Sequence, residues 1–411
     1  MTRRQLKSSI FLLEGLNAFA TGLYFNWLFF FTESRLDFGV AENLGLVALH
    51  GFIYTGAAWF GGWFAHRVGN YSALKIGFAI LAMALGAGTF LPFALGQVAV
   101  MLVWTFGMCF TWPTLQTLVS EDEPGRNMPR MAGIYNVVWS ALSAVSYFIG
   151  GAMLEHLGVT SLFWIPALIH IFQFAFVFWI ERKVPTERGL SQTVAQHHGN
   201  MLRVEATRAP AKESNLTVPA PEVAASIQKN FLRFALLTNP FAYVAINTAI
   251  PMIPVVAARF NLSPMLAGFL CSVWFFVRMG AFVLFWLWPG WHYRFGILLA
   301  AKTILVASFL GLLLAPNLWV LLIAQIFFGL SVGLIYYSSL YYSMHGGNAK
   351  TEHGGLHEAM IGFGTFLGAV VGVIAKYFFP DVAGIAIWAV SGLLLVGLFA
   401  LIWLRFRKEN G

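Results

Sequence analysis

Apolar runs of roughly 20 residues recur along almost the whole chain, each long enough to cross a bilayer as a helix. A backbone in hydrocarbon must satisfy its own hydrogen bonds, so only helices and closed barrels span. The runs are continuous rather than alternating, which excludes a β-barrel reading. Only 10% of the residues are charged, against about 25% in ordinary soluble domains. The net charge of +8 lies in the loops, as in a membrane protein, and does not call for nucleic acid. Cys109 and Cys271 both fall inside apolar runs, so neither a disulfide nor a cysteine metal site is expected. The basic start Arg3-Arg4-Gln5-Leu6-Lys7 leads directly into an apolar run, which is expected to remain as the first helix.

Twelve spans are expected, with cores near 10–32, 45–65, 72–92, 96–119, 132–154, 160–181, 231–257, 264–288, 294–314, 319–343, 355–379 and 382–404. One long polar segment divides them. It carries Pro185, Pro210, Pro219 and Pro221 with several Lys and Arg, and it has too few large apolar residues to pack a core. The expected organisation is a six-helix bundle over 1–181, a cytoplasmic linker over 182–230 and a second bundle over 231–411. Placing both termini in the cytoplasm leaves only Arg35, Arg259 and Lys376 in loops on the far side, as the positive-inside rule requires.

The two halves carry traces of duplication. Phe106-Gly107 corresponds to Phe328-Gly329, Gly133 to Gly355, Gly150 to Gly372, and Arg67-Val68-Gly69 to Arg294-Phe295-Gly296. Paired halves of this kind are a transporter feature. Between the second and third spans stands Gly62-Trp63-Phe64-Ala65-His66-Arg67-Val68-Gly69. With six spans on either side of a linker, this loop resembles the major facilitator superfamily over essentially the whole chain. The family's loop has Asp where this chain has His66. The glycine-rich fifth-span motif of its antiporters is matched by Gly133, Gly150 and Gly151. It is not matched by Leu142, Ser146 and Tyr147, and the fourth-span Arg of many drug antiporters falls at Val103. The resemblance implies an all-α membrane protein of twelve helices in two pseudo-symmetric bundles. It also implies a transporter that alternates access to a midplane site, and these departures point away from a drug antiporter.

Charges inside the spans mark candidate sites, since each costs roughly 2.5–3.5 kcal/mol on insertion scales. Glu14 shares a face of the first span with Asn17, Thr21 and Tyr24, where a carboxylate can take up and release a proton. The bland alternative has Glu14 reaching the interface. Arg278, midway along the eighth span, is placed to bind an anionic group or to pair with Glu14. Lys302 lies about two turns from the end of the ninth span, where snorkelling is expected. The polar residues Asn136, Ser140, Ser143 and Tyr147, Asn239, Tyr243 and Asn247, and Gln325, Tyr336, Ser339 and Tyr342 are expected to line a cavity. Interhelical hydrogen bonds are the competing reading at each position. Gly364, Gly368 and Gly372, with Gly329 and Gly333, are expected to let helices approach closely. Pro240, Pro251 and Pro254 are expected to bend the seventh span.

The expected gate comprises Gly62, His66, Arg67, Gly69 and Glu358. In it a protonated His66 pairs with Glu358, and Arg67 is left for the acidic run Glu121-Asp122-Glu123. His353 and His357 have a metal-like spacing, but two glycines intervene and no metal is assigned. No cofactor is expected and no enzyme activity. The expected function is secondary transport of a small polar solute, anionic or sugar-like, with the proton as co-substrate and the bilayer as environment. The protein is expected to be a monomer in a bacterial inner membrane. A transport-dead sensor or a membrane enzyme on the same scaffold is the second reading.

Overall fold

The computed structural model describes residues 1–121, 128–183, 225–345 and 350–407, and every element among them is helical. α1 (Arg3–Leu36), α2 (Val40–Val68), α3 (Asn70–Gly88), α4 (Ala94–Ser120), α5 (Met128–Leu157) and α6 (Ser161–Lys183) form the first set. The second set is α7 (Ala225–Ala249), α8 (Ile253–Arg259), α9 (Pro264–Cys271), α10 (Val273–Leu287), α11 (Phe295–Leu313), α12 (Leu318–His345), α13 (Lys350–Phe378) and α14 (Ile385–Phe406). Most of the expected linker lies outside the described residues.

Ten helical stretches among the described residues are long and apolar enough to cross a bilayer, and α2, bent by 45° near its middle, adds an eleventh. α1 is 34 residues long, yet Glu14, Asn17 and Asn26 on its buried side reduce its apolar character. The surface elsewhere is that of a lipid-facing protein: Phe90, Leu95 and Trp319 are each more than 70% exposed.

Local chemistry sets the helix ends. Thr2 opens α1 with a reciprocal cap, its hydroxyl accepting from the Gln5 amide while the Gln5 side chain accepts from the Thr2 amide. A single residue, Gly69, turns α2 into α3 at φ 90°, a conformation open to glycine and strained for other residues. α7 runs through Pro240, and the break comes later, in the 3-10 turn Ile250–Met252 before Pro254 opens α8. A second break, at Ser272 between α9 and α10, is not legible in the sequence. There Gln325 of α12 accepts from the Trp274 amide at 3.4 Å and donates to the Leu270 carbonyl at 2.8 Å. One amide side chain thereby serves the two backbone groups that the break exposes.

Within the first set, α1 packs on α5, α6 and α4, while α3 packs on α4 and α6. Within the second, α12 lies between α10 and α11, and α13 packs on α7. The two sets meet where α2 packs along α13 and where α5 packs on α9 and α10. Glycine makes the first contact possible: a Cβ at Gly362 would lie 2.7 Å from the Thr55 amide nitrogen, and one at Gly51 would strike the Phe366 backbone. The expected small faces are also in contact, with Gly364 and Gly368 against α7 at Pro240 and Val244, and Gly329 and Gly333 against α10.

Candidate functional site

α1 presents Glu14, Asn17, Thr21 and Tyr24 at helical spacing. Glu14, Asn17 and Tyr24 are fully buried. Among the described residues, both Asn17 side-chain atoms and the Thr21 and Tyr24 hydroxyls have no hydrogen-bond partner. Tyr135 of α5 faces the Glu14 carboxylate, and the charged group acting on Glu14 is a second carboxylate, Glu358. Tyr24 points away from this group, into the first set, against Trp104 at 4.8 Å and Phe163 at 5.9 Å. A secondary anchor holds α1 in place, with Gln173 of α6 donating to the Leu13 carbonyl at 2.8 Å and His170 bonded to Gln173.

Arg278 of α10 does not pair with Glu14. Its guanidinium lies over three aromatic faces, Trp139 at 4.8 Å, Trp274 at 5.1 Å and Phe275 at 5.1 Å. Trp139 comes from α5, so this seat is shared by the two helix sets. Arg278 is 6% exposed and its Nε has no partner. Tyr243 and Tyr336 lie within its electrostatic range, and Tyr336 is also within range of Glu14 and Glu358. Trp139 contacts Tyr336 and Phe282, each at 5.6 Å, and Tyr147 contacts Phe275 at 5.1 Å. Asn136 accepts from the Trp139 indole at 3.0 Å and so orients that ring. Cation–π contacts in a desolvated site contribute about 2 kcal/mol, which helps retain a guanidinium that has no carboxylate beside it among the described residues.

Other members of the expected cavity set are held in structural bonds. Asn247 donates to Thr365 of α13 at 2.7 Å, and the Tyr342 hydroxyl accepts from the Tyr293 amide at 2.9 Å. Ser140 donates to the Asn136 carbonyl one turn back. Gln325 bridges the Ser272 break. Asn239 is fully buried on α7. Lys302 does not snorkel: it is 0% exposed, and its ammonium lies 4.0 Å from the Phe241 ring centroid without a hydrogen-bond partner. The packing of α11 on α7 and α14 encloses it before its stem can reach an interface.

The gate also differs from expectation. Glu358 is buried and accepts from the Tyr54 hydroxyl of α2 and the Gln116 amide of α4, each at 2.9 Å. His66 is exposed and makes no such bond with it. A buried carboxylate with two donors in place has little to gain from an exposed, solvated imidazole. Arg67 is stacked on Trp63 at 4.2 Å. Asp122 and Glu123 lie outside the described residues, as do the side chains of His353 and His357. Gly62 is exposed and open around its Cα. Sequence reasoning missed His50, which is bonded to Thr105 at 2.8 Å and sits within 6 Å of the Phe25, Trp104 and Tyr54 rings. Its position one turn before Tyr54 on an apolar helix was the available signal.

A family model described as the Major Facilitator Superfamily matches residues 2–147 and 123–355. Among solved structures, the nucleoside transporter NupG is 15% identical with a TM-score of 0.67, covering 97% of this chain and 98% of that chain. The human organic anion transporter MFSD10 (TETRAN) is 14% identical with a TM-score of 0.65, covering 98% of this chain and 100% of that chain. At these identities the likeness is one of fold. No curated protein sequence matches this chain.

Proposed function

The chain belongs to the Major Facilitator Superfamily, and from that premise we propose that this membrane transporter is a proton-coupled carrier of a small organic solute bearing an anionic group. Arg278 carries the reading. A buried guanidinium with no carboxylate partner among the described residues, seated on rings from both helix sets, is arranged to receive an anion as the sets close around it. Tyr243, Tyr336 and Asn136 supply neighbouring polar groups for the rest of the solute. Glu14 is the proton carrier, because it is buried and lacks a cationic neighbour among the described residues. The cycle rocks the first helix set against the second, with both termini in the cytoplasm and the protein acting as a monomer in a bacterial inner membrane.

A thermal-shift screen of the purified protein against carboxylates, phosphates, sugars and nucleosides tests the solute class. An anionic compound is expected to stabilise the protein. Arg278→Lys should weaken its affinity about tenfold or more, since a point charge does not reproduce a planar fork. Stabilisation by neutral compounds alone, or unchanged affinity in both Arg278→Lys and Arg278→Ala, removes the anion reading. For coupling, Glu14→Gln should abolish accumulation driven by a proton gradient while leaving counterflow exchange. Normal accumulation by that variant removes Glu14 from the mechanism.

A further inference from the structure

Where α1 begins and α6 ends, the two helices stand around an open groove of about 500 Å³. Ligand pockets run from about 300 to 1,000 Å³. Arg4, Ser8 and Ser9 of α1 line the groove on one side, and Trp179 and Lys183 of α6 on the other. At its rim the Met1 nitrogen donates to the Lys183 carbonyl at 3.3 Å. The first turn of α1 carries its own cap in Thr2 and Gln5, so recognition in the groove falls to side chains.

The charges around the groove are unbalanced. Among the described residues, neither Arg4 nor Lys183 forms an ion pair. The nearby carboxylate, Glu181, is turned to Lys75 of α3 at 2.9 Å. Lys7 is committed to the Leu118, Val119 and Glu121 carbonyls at the end of α4. Two cations and two hydroxyls are thus left facing one space.

Below the groove α6 continues as a wall of rings. Phe172, Phe176 and Trp179 repeat at i, i+4 and i+7, and Lys183 follows one turn further on the same face. Phe172 stacks on Phe176 at 5.6 Å, and Phe176 on Trp179 at 5.3 Å, with the planes within 12° of parallel. Phe172 is 51% exposed and Trp179 48%. At a rise of 1.5 Å per residue the wall runs about 10 Å along the helix. Cations above, an indole at the headgroup level and apolar rings beneath match the order in which a phospholipid presents its parts. A free phosphate would leave the rings unused, and a neutral lipid would leave the cations unpaired.

We propose that this groove binds one anionic phospholipid, its phosphodiester held by Arg4 and Lys183 and an acyl chain laid along Trp179, Phe176 and Phe172. Arg4 offers a planar fork to two phosphate oxygens, and Lys183 adds a point charge. Ser8 and Ser9 donate to the remaining headgroup oxygens. Basic pockets between membrane helices on the cytoplasmic side take such headgroups, and in the orientation proposed above the lipid comes from the inner leaflet. The site does not depend on the solute reading at Arg278.

The test is thermal unfolding of the purified, delipidated full-length protein in detergent, titrated with dioleoyl phosphatidylglycerol. Dioleoyl phosphatidylcholine and glycerol phosphate are the further arms. The midpoint is expected to rise saturably with phosphatidylglycerol and to stay flat with the other two. Arg4→Gln and Lys183→Gln should each raise the half-saturating concentration about fivefold, the effect of one basic residue at an anionic surface. Trp179→Ala should raise it as well. All three residues are exposed, so these changes leave the helix packing in place. Arg407→Gln removes an exposed basic residue at the end of α14 and should leave the titration unchanged. Native mass spectrometry gives a readout independent of unfolding, with one phosphatidylglycerol retained by the parent and lost when Arg4 and Lys183 are both changed to Gln. An equal response to the two lipids overturns the proposal. So does an equal effect of Arg4→Gln and Arg407→Gln, which would mark diffuse surface attraction. A matching response to glycerol phosphate would mark an anion site that does not need the lipid, and overturns it too.

Discussion

Lys302 illustrates how far a single residue depends on its neighbours. From its position two turns inside the ninth span it is expected to reach the interface, but the packed structure encloses it and leaves its ammonium against the Phe241 ring alone. Lys302→Met keeps an apolar stem of similar length and removes an unpartnered polar group. It should raise unfolding stability by on the order of 1–3 kcal/mol, seen as a higher midpoint in detergent. A lower midpoint would show that the ammonium contributes to the fold. Glu14 and Arg278 were legible as candidates because a charge inside an apolar run stands out in one dimension. The aromatic seat of Arg278 was not, since Trp139 lies 139 residues away in sequence and only packing joins the two. For the same reason Tyr54 and Gln116 gave no hint that they would engage Glu358 and leave His66 in solvent.

At the scale of elements, the helices were largely legible because each needs only a long apolar run, whereas their interruptions were legible only in part. Pro251 and Pro254 mark the break before α8, but Pro240 remains within α7. The Ser272 break depends on Gln325 from another helix, so no local pattern announces it. The close contact of α13 with α7 has a direct consequence. A Cβ on Gly364 would strike the Pro240 carbonyl, and a backbone oxygen cannot rotate aside as a side chain can. Gly364→Ala should therefore cost about 1–3 kcal/mol. Gly392→Ala, at a site with open space around it, should leave the unfolding midpoint close to that of the parent. Equal midpoints for the two variants would show that α7 and α13 can separate without loss.

For the whole molecule, the proposed rocking cycle makes the boundary between the two helix sets its working surface. Glu358 ties α13 to α2 and α4 there through two neutral donors, and Tyr54→Phe removes one of them without altering the ring. The loss of one such bond, about 0.5–1.5 kcal/mol, should move the opening equilibrium roughly threefold to tenfold. Cys109 provides a native reporter, being buried and within range of Glu358. In a Cys271→Ser background its labelling by a water-soluble maleimide should speed up by that factor in Tyr54→Phe. Unchanged labelling would mean that Glu358 does not hold the two sets together. The rest of the boundary is made of ring faces, the Arg278 seat on Trp139, the Met265 amide donating to Glu155 at 3.1 Å, and backbones brought together at Gly51 and Gly362, while the ion pair Lys75 with Glu181 at 2.9 Å lies wholly inside the first set. Mobile ions shorten the reach of exposed charges to a few ångströms at molar concentration, but they do little to contacts of shape. The rate at which the two halves part should then be nearly the same in dilute buffer and in molar choline chloride, so that a cell's osmotic history would leave the pace of the cycle untouched.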